Sequence, residues 1–135
     1  MLSPESNIAA WQTVARMPEI IRLQGNPRMS GAVVHGGVVH LSGQVAIDHR
    51  SSPVSDQVRE ILERIDALLA EAGTDRSRLL TANLYLADIA SLADVNAVWD
   101  RWIVPGCAPT RTTIQTVLAN PAYALEIAVS AALPA

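Results

Sequence analysis

Ala32-Val33-Val34-His35-Gly36-Gly37-Val38-Val39-His40-Leu41 consists of two β-branched runs joined by a pair of glycines. Two adjacent glycines supply the positive φ angles of a tight two-residue turn, and valines suit a pleated surface, so the stretch predicts a β-hairpin. Toward the N-terminus, Ile20-Ile21-Arg22-Leu23 is a short strand candidate. Gly25-Asn26-Pro27 is a loop, because the residue before a proline avoids the helical region. Earlier still, Pro4 to Arg16 could form a short helix with Ile8, Trp11 and Ala15 on one side, closed by Pro18, so residues 1–18 read as a peripheral cap.

Toward the C-terminus, Ser42-Gly43-Gln44-Val45-Ala46-Ile47 leads through the loop Asp48 to Ser52 into Pro53, a suitable first helical position after a Ser52 cap. Val54, Val58, Ile61, Leu62, Ile65, Leu68 and Leu69 recur at three- and four-residue intervals, while Arg59, Glu60, Glu63 and Arg64 fall mostly elsewhere. That pattern is an amphipathic helix ending at Gly73. Leu79 to Leu86 reads as a strand, and Leu92, Val95, Val98, Trp99 and Trp102 mark a second helix that stops before Pro105-Gly106. Two further strands, Thr110 to Leu118 and Tyr123 to Ala132, are read as a hairpin with Asn120-Pro121 at the turn. The predicted order is β-β-β-α-β-α-β-β. Two helices for about six strands imply an α+β layer with both helices on one sheet face, and the other face needs cover, most simply from a second copy of the chain.

At 135 residues the chain is one domain, 1–135, and with half its residues hydrophobic and a mean hydropathy of +0.22 it can build a core. All ten cations are arginine and none is lysine, which removes a Schiff-base lysine, a lysine-bound pyridoxal phosphate and a P-loop lysine together. A net charge of −3 and only five aromatics argue against nucleic acid as a partner. Cys107 stands alone, no export signal is legible, and no apolar run reaches the ~20 residues of a membrane span, so a cytoplasmic protein is expected.

Beyond Arg101 only two side chains are charged, Arg111 and Glu126, and both fall inside predicted strands. Strand alternation sets Glu126 among Ala124, Ala128 and Ser130, small residues that leave space beside it, and puts Arg111, Thr113 and Gln115 on one face of their own strand. The two charges could converge across or near the hairpin. One reading is chemical: Arg111 holds a substrate carboxylate through its bidentate fork, and Glu126 handles a water or a proton. The other is an ion pair, buried or at a subunit interface, with no chemistry. His35, His40 and His49 lack metal-ligand spacing, so no metal site is expected. Ser42 lacks the flanking pattern of a nucleophile and reads as a strand-end serine before a bulge-forming glycine. Val98, Trp99 and Trp102 at helical spacing read as core.

Several stretches taken in order resemble the reactive intermediate deaminase family, RidA or YjgF, also called L-PSP endoribonucleases. They are Leu41-Ser42-Gly43-Gln44, Gln57 opening the helix that ends Glu71-Ala72-Gly73, Thr81 to Asp88, Val95-Asn96-Ala97-Val98-Trp99, Ala108-Pro109-Thr110-Arg111-Thr112-Thr113, and Leu125-Glu126-Ile127. The resemblance spans Pro27 to Ala132. It implies a chorismate-mutase-like α+β fold, a homotrimer with clefts between subunits, and hydrolysis of enamines and imines such as 2-aminoacrylate to 2-keto acids and ammonia without a cofactor. By position, Arg111 matches the arginine that binds the substrate carboxylate and Glu126 the glutamate that positions water. Ser42 and Gly43 match the backbone lining the cleft, and Asn96 the asparagine of the second helix. Met29 before Ser30 replaces the family's tyrosine, and Thr113 replaces a frequent cysteine, so both are expected to touch substrate. Trp99-Asp100-Arg101-Trp102 and Pro105 to Pro109 look more like the YoaB-like branch. The alternatives to hydrolysis are a non-catalytic trimer that binds small carboxylates or keto acids, and an endoribonuclease.

Overall fold

Both glycines of the predicted turn adopt positive φ, 60° at Gly36 and 80° at Gly37, so the chain reverses in two residues and His35 pairs directly with Val38. This computed structural model describes residues 19–135, and the cap expected over residues 1–18 lies outside them. From the hairpin strands β2 (Ala32–His35) and β3 (Val38–Leu41), the sheet grows both ways. The short β1 (Ile21–Leu23) pairs antiparallel with β2 on one side. On the other side lie β6 (Leu125–Ala132), β4 (Leu79–Leu86) and β5 (Thr110–Gln115), giving the order β1-β2-β3-β6-β4-β5.

Two helices make the crossovers. α1 (Val54–Glu71) connects β3 to β4, and α2 (Leu92–Trp102) connects β4 to the parallel β5. Both crossovers advance in the same direction across the sheet. A single handedness of connection therefore lays both helices on the same face. Between helices and sheet sits the core: Val58, Ile61, Ile65 and Leu69 of α1, Val95 and Trp99 of α2, and Leu84, Leu86, Leu125 and Ile127 of the central strands. The α+β architecture with a six-stranded mixed sheet is as the sequence implies. No helix among the described residues is long and apolar enough to cross a membrane.

The expected hairpin between the last two strands is replaced by a different topology. β5 and β6 do not pair, because β4 lies between them, parallel to β5 and antiparallel to β6. Burial explains the choice. β6 buries Leu125, Ile127, Val129 and Ala131 and so takes a central position, whereas β5 is exposed at every residue but Thr113 and suits a sheet edge. The strands are also shorter than expected: β5 ends at Gln115 rather than Leu118, and β6 begins at Leu125 rather than Tyr123. α1 also starts differently, since Pro53 occupies the N-cap and Ser52 makes no side-chain cap. Ser52 instead offers its carbonyl to Gln57 Nε2 at 3.0 Å. At the other end Gly73, at φ 89°, terminates α1 as read from sequence.

Candidate functional site

Ser42 and Gly43 lie where the β3–β6 ladder breaks. His40 pairs with Ser130, yet the next pair along is Gln44 with Ile127, so four residue steps on one side face three on the other. The extra residue is a bulge, as expected of a glycine there. Gln44 re-joins the ladder through bonds of 2.8 and 3.1 Å with Ile127, and its side-chain amide donates to Ser42 O and Ser42 Oγ. The Ser42 N–H donates to Gly31 O at 2.9 Å, which ties in the turn holding Met29. That turn is fixed by Asn26 Oδ1, which accepts from the N–H groups of Arg28 and Met29, and Met29 itself is 49% exposed.

Glu126 comes up against this bulge. A Cβ placed on Gly43 would lie 2.6 Å from Glu126 Cδ and 2.7 Å from its Oε2, closer than a real Cβ comes to a non-bonded heavy atom. Gly43 is therefore a glycine because the Glu126 carboxylate rests on its Cα. Glu126 is half-buried and takes part in no ion pair among the described residues. Behind it, the segment that leads into β6 is clamped by Gln57, which is 1% exposed. Gln57 Nε2 donates to Ser52 O and Ala122 O, and its Oε1 accepts from the Ala124 N–H at 2.9 Å.

Arg111 occupies different ground. Its register partner on β4 is Ala82, whose side is covered by the helices, and its guanidinium carbon sits 5.6 Å from the ring centroid of Trp99 on α2. Thr113 follows on the same side, opposite Leu84. One helical turn before Trp99 is Asn96, whose Oδ1 is buried with no hydrogen-bond partner among the described residues. Glu126, opposite Tyr85, projects from the other face. Arg111 and Glu126 thus stand two strands and three residues apart, about 14 Å diagonally across the sheet, and on opposite faces. Within one chain they do not converge, and neither the substrate pair nor the intrachain ion pair expected across a hairpin forms.

The site residues therefore sort into two groups, Met29, Ser42, Gly43 and Glu126 on one side and Asn96, Arg111 and Thr113 on the other. The burial of Trp99 and Trp102 expected from sequence is found, but Trp99 has a second neighbour, the Arg111 guanidinium, that helical spacing did not reveal. Glu60 was also missed. The apolar spacing of α1 sets it off the buried face, yet its carboxylate is buried and accepts from Arg64 Nε at 2.6 Å, the His49 N–H at 2.8 Å and the Asp48 N–H at 3.1 Å, with His49 Nδ1 at 2.7 Å. Burial disfavours its charge, but the bonds from Arg64, His49 and Asp48 outweigh it and lower its pKa to about 2. This cluster fixes the loop between the bulge and α1.

Comparison with known proteins follows the same outline. The family described as Endoribonuclease L-PSP matches residues 22–133. A RutC family protein of Haemophilus ducreyi is 38% identical over 114 residues, covering 84% of this chain and 97% of its own length. The RutC family protein YoaB of Escherichia coli is 35% identical over 114 residues, 84% of this chain and 98% of its own. Among solved structures, a protein from Pseudomonas aeruginosa superposes with a TM-score of 0.83 at 39% identity, covering 86% of this chain and all of the other. A YjgF-family protein from Neisseria meningitidis gives 0.82 at 34%, covering 87% and 97%. A family match across nearly all of the described sheet, together with near full-length relatives of the YoaB type, places this chain in the L-PSP endoribonuclease family, also known as RidA or YjgF, within its RutC/YoaB-like branch.

Proposed function

We propose that the chain is a cofactor-independent deaminase that hydrolyses reactive 2-imino acids, of the 2-aminoacrylate type, to 2-keto acids and ammonia, in clefts between neighbouring copies of a cytoplasmic homotrimer. The observation that carries this reading is the division of the site: a guanidinium and a carboxylate, each without an ion-pair partner among the described residues, on opposite faces of one sheet. Each is half of a site, and a cyclic assembly that sets one face against the neighbour's opposite edge completes it.

The chemistry needs little more. Arg111 takes the substrate carboxylate in a bidentate grip and so fixes the position of the adjacent imine carbon. Glu126 holds a water, accepts its proton as the oxygen bonds to that carbon and returns it to the nitrogen, then relays the new hydroxyl's proton to the same nitrogen. The carbinolamine then expels ammonia and leaves the keto acid. Atoms balance without a redox partner. The Ser42–Gly43 backbone lines the cleft, Met29 and Thr113 bound the substrate side chain, and the unbonded Asn96 carbonyl offers an acceptor for an N–H group.

Keto-acid release from imines generated in situ by an amino-acid oxidase tests the reading. Arg111→Ala and Glu126→Ala should each abolish acceleration while light scattering still reports the trimer. A co-refolded mixture of the two inactive variants should recover about a quarter of the wild-type rate, since that share of clefts pairs an intact Arg111 with a neighbour's intact Glu126. A monomer, or an unchanged rate in Arg111→Ala, refutes the proposal. Binding of 2-ketobutyrate or pyruvate without turnover would favour the carboxylate-binding trimer. RNA cleavage is the weaker reading for a chain of ten cations against thirteen acids.

A further inference from the structure

We propose that Trp99 is a positioning residue for carboxylate binding: its indole face sets where the Arg111 guanidinium points. The inference rests on the reading of Arg111 as the carboxylate anchor. Arg111 lies on an edge strand, its side chain is exposed, and among the described residues it has no salt bridge and no side-chain hydrogen bond. A side chain with so many rotatable bonds would lose considerable entropy on gripping a ligand. What confines it is the Trp99 ring, 5.6 Å from its guanidinium carbon.

The ring is itself immobilised. Trp99 is 5% exposed and packs against Trp102 with centroids 5.5 Å apart and planes tilted by 47°. Trp102 donates its indole N–H to Asp66 Oδ2 of α1 at 3.0 Å. Arg76 lies over the Trp102 ring, 5.4 Å from its centroid, and binds both Trp102 O at 3.1 Å and the Asp66 carboxylate at 3.4 Å. The row Arg76, Trp102, Trp99, Arg111, held at one end by Asp66 of α1, therefore runs to the Arg111 guanidinium at the sheet edge.

An aromatic shelf suits this task better than an acidic partner. A carboxylate neighbour would occupy the N–H fork that the substrate must use, and would have to be displaced. A ring engages the face of the guanidinium and leaves the five in-plane donors available. The orientation is thus prepared before the ligand arrives, and the ordering cost is not charged to binding.

The test measures KM and kcat on in situ imines and the calorimetric Kd for 2-ketobutyrate in wild type, Trp99→Leu and Trp99→Tyr, with trimer mass and Tm as controls. Trp99→Leu should raise KM and Kd on the order of 3- to 30-fold, the size of a partly desolvated cation–π contact, and move kcat by less than about twofold. Trp99→Tyr should recover most of the affinity. In an Arg111→Ala background, Trp99→Leu should cost nothing more. Should the leucine variant fail to assemble, Trp99→Tyr and wild type still decide by fluorescence: 2-ketobutyrate should shift the Trp99 emission, and Arg111→Ala should abolish the shift. Wild-type affinity in an assembled Trp99→Leu trimer, an equal loss in the Arg111→Ala background, or no ligand-dependent emission change overturns the proposal. A wild type that binds keto acid but turns over no imine defeats the deaminase reading alone, and the Kd series then decides for Trp99.

Discussion

Gly43→Ala tests the role proposed for Glu126 separately from the one proposed for Arg111. The new Cβ would stand 2.6 Å from Glu126 Cδ and 2.9 Å from its Cγ, and ordinary contact needs about 3.5 Å, so the carboxylate must retreat by about 1 Å. The retreat is cheap in stability because the obstructing atoms are the far end of a flexible side chain. Gly43 is also absent from the positive-φ glycines, which among the described residues are Gly36, Gly37, Gly73 and Gly106, so alanine fits the backbone. Lower unfolded-state entropy would even add about 0.4–1 kcal/mol. A displacement of 1 Å at a group that orients a nucleophile costs on the order of 100-fold in rate. Stopped keto-acid assays should therefore show kcat falling on the order of 100-fold. Tm should hold or rise, and the calorimetric Kd for 2-ketobutyrate, which the proposal assigns to Arg111, should stay within about twofold. A kcat within about twofold of wild type in a folded Gly43→Ala protein would refute the argument that Glu126 acts from its seat on Gly43.

Other substitutions probe the scaffold. Gln57→Leu removes the bonds to Ser52, Ala122 and Ala124 and leaves their half-buried backbone groups without these partners, so urea unfolding should show a loss of about 2 kcal/mol. Gly73→Ala forces a side chain into φ 89° past the end of α1 and should lower stability by about 1 kcal/mol in the same assay. Glu60 supplies a pH dependence. Its folded pKa of about 2 lies below the ordinary glutamate value of 4.5, so the folded state favours the ionised form, and the resulting stability is present above pH 4.5 and lost as pH falls toward 2. Glu60→Gln should be less stable by roughly 2–3 kcal/mol at pH 7 and should converge on wild type near pH 2, and a gap that persists unchanged at pH 2 would contradict this account.

The sequence made the local elements legible and the long-range arrangement less so. Two consecutive glycines between valine runs specify a two-residue turn, and the three- and four-residue apolar spacing specifies α1, because both are decided by neighbours along the chain. The pairing of β5 and β6 is decided by competition for the centre of the sheet. The signal was present in the contrast between Thr110-Arg111-Thr112-Thr113 and Leu125 to Ala131, but proximity in sequence favoured a hairpin. Arg111 and Glu126 stood out because they are the two charges in an otherwise uncharged C-terminal third, yet which face each occupies followed only from the register with Ala82 and Tyr85. Glu60 and Gln57 were obscured for a related reason. A polar residue on a helix reads as solvated unless the loop that folds over it is known, and here residues 48–52 and 120–124 provide that cover.

The two-faced placement of Arg111 and Glu126 also has a kinetic signature. No change of rotamer within one chain carries an arginine through the sheet and across about 14 Å of its surface. Any reaction that needs both groups therefore depends on how many chains are assembled rather than on how many are present. On serial dilution through the dissociation range, its rate per chain should fall, whereas a property that needs only the Arg111 side should stay proportional to protein. An activity-against-concentration curve alone distinguishes work done by the assembly from work done by the subunit.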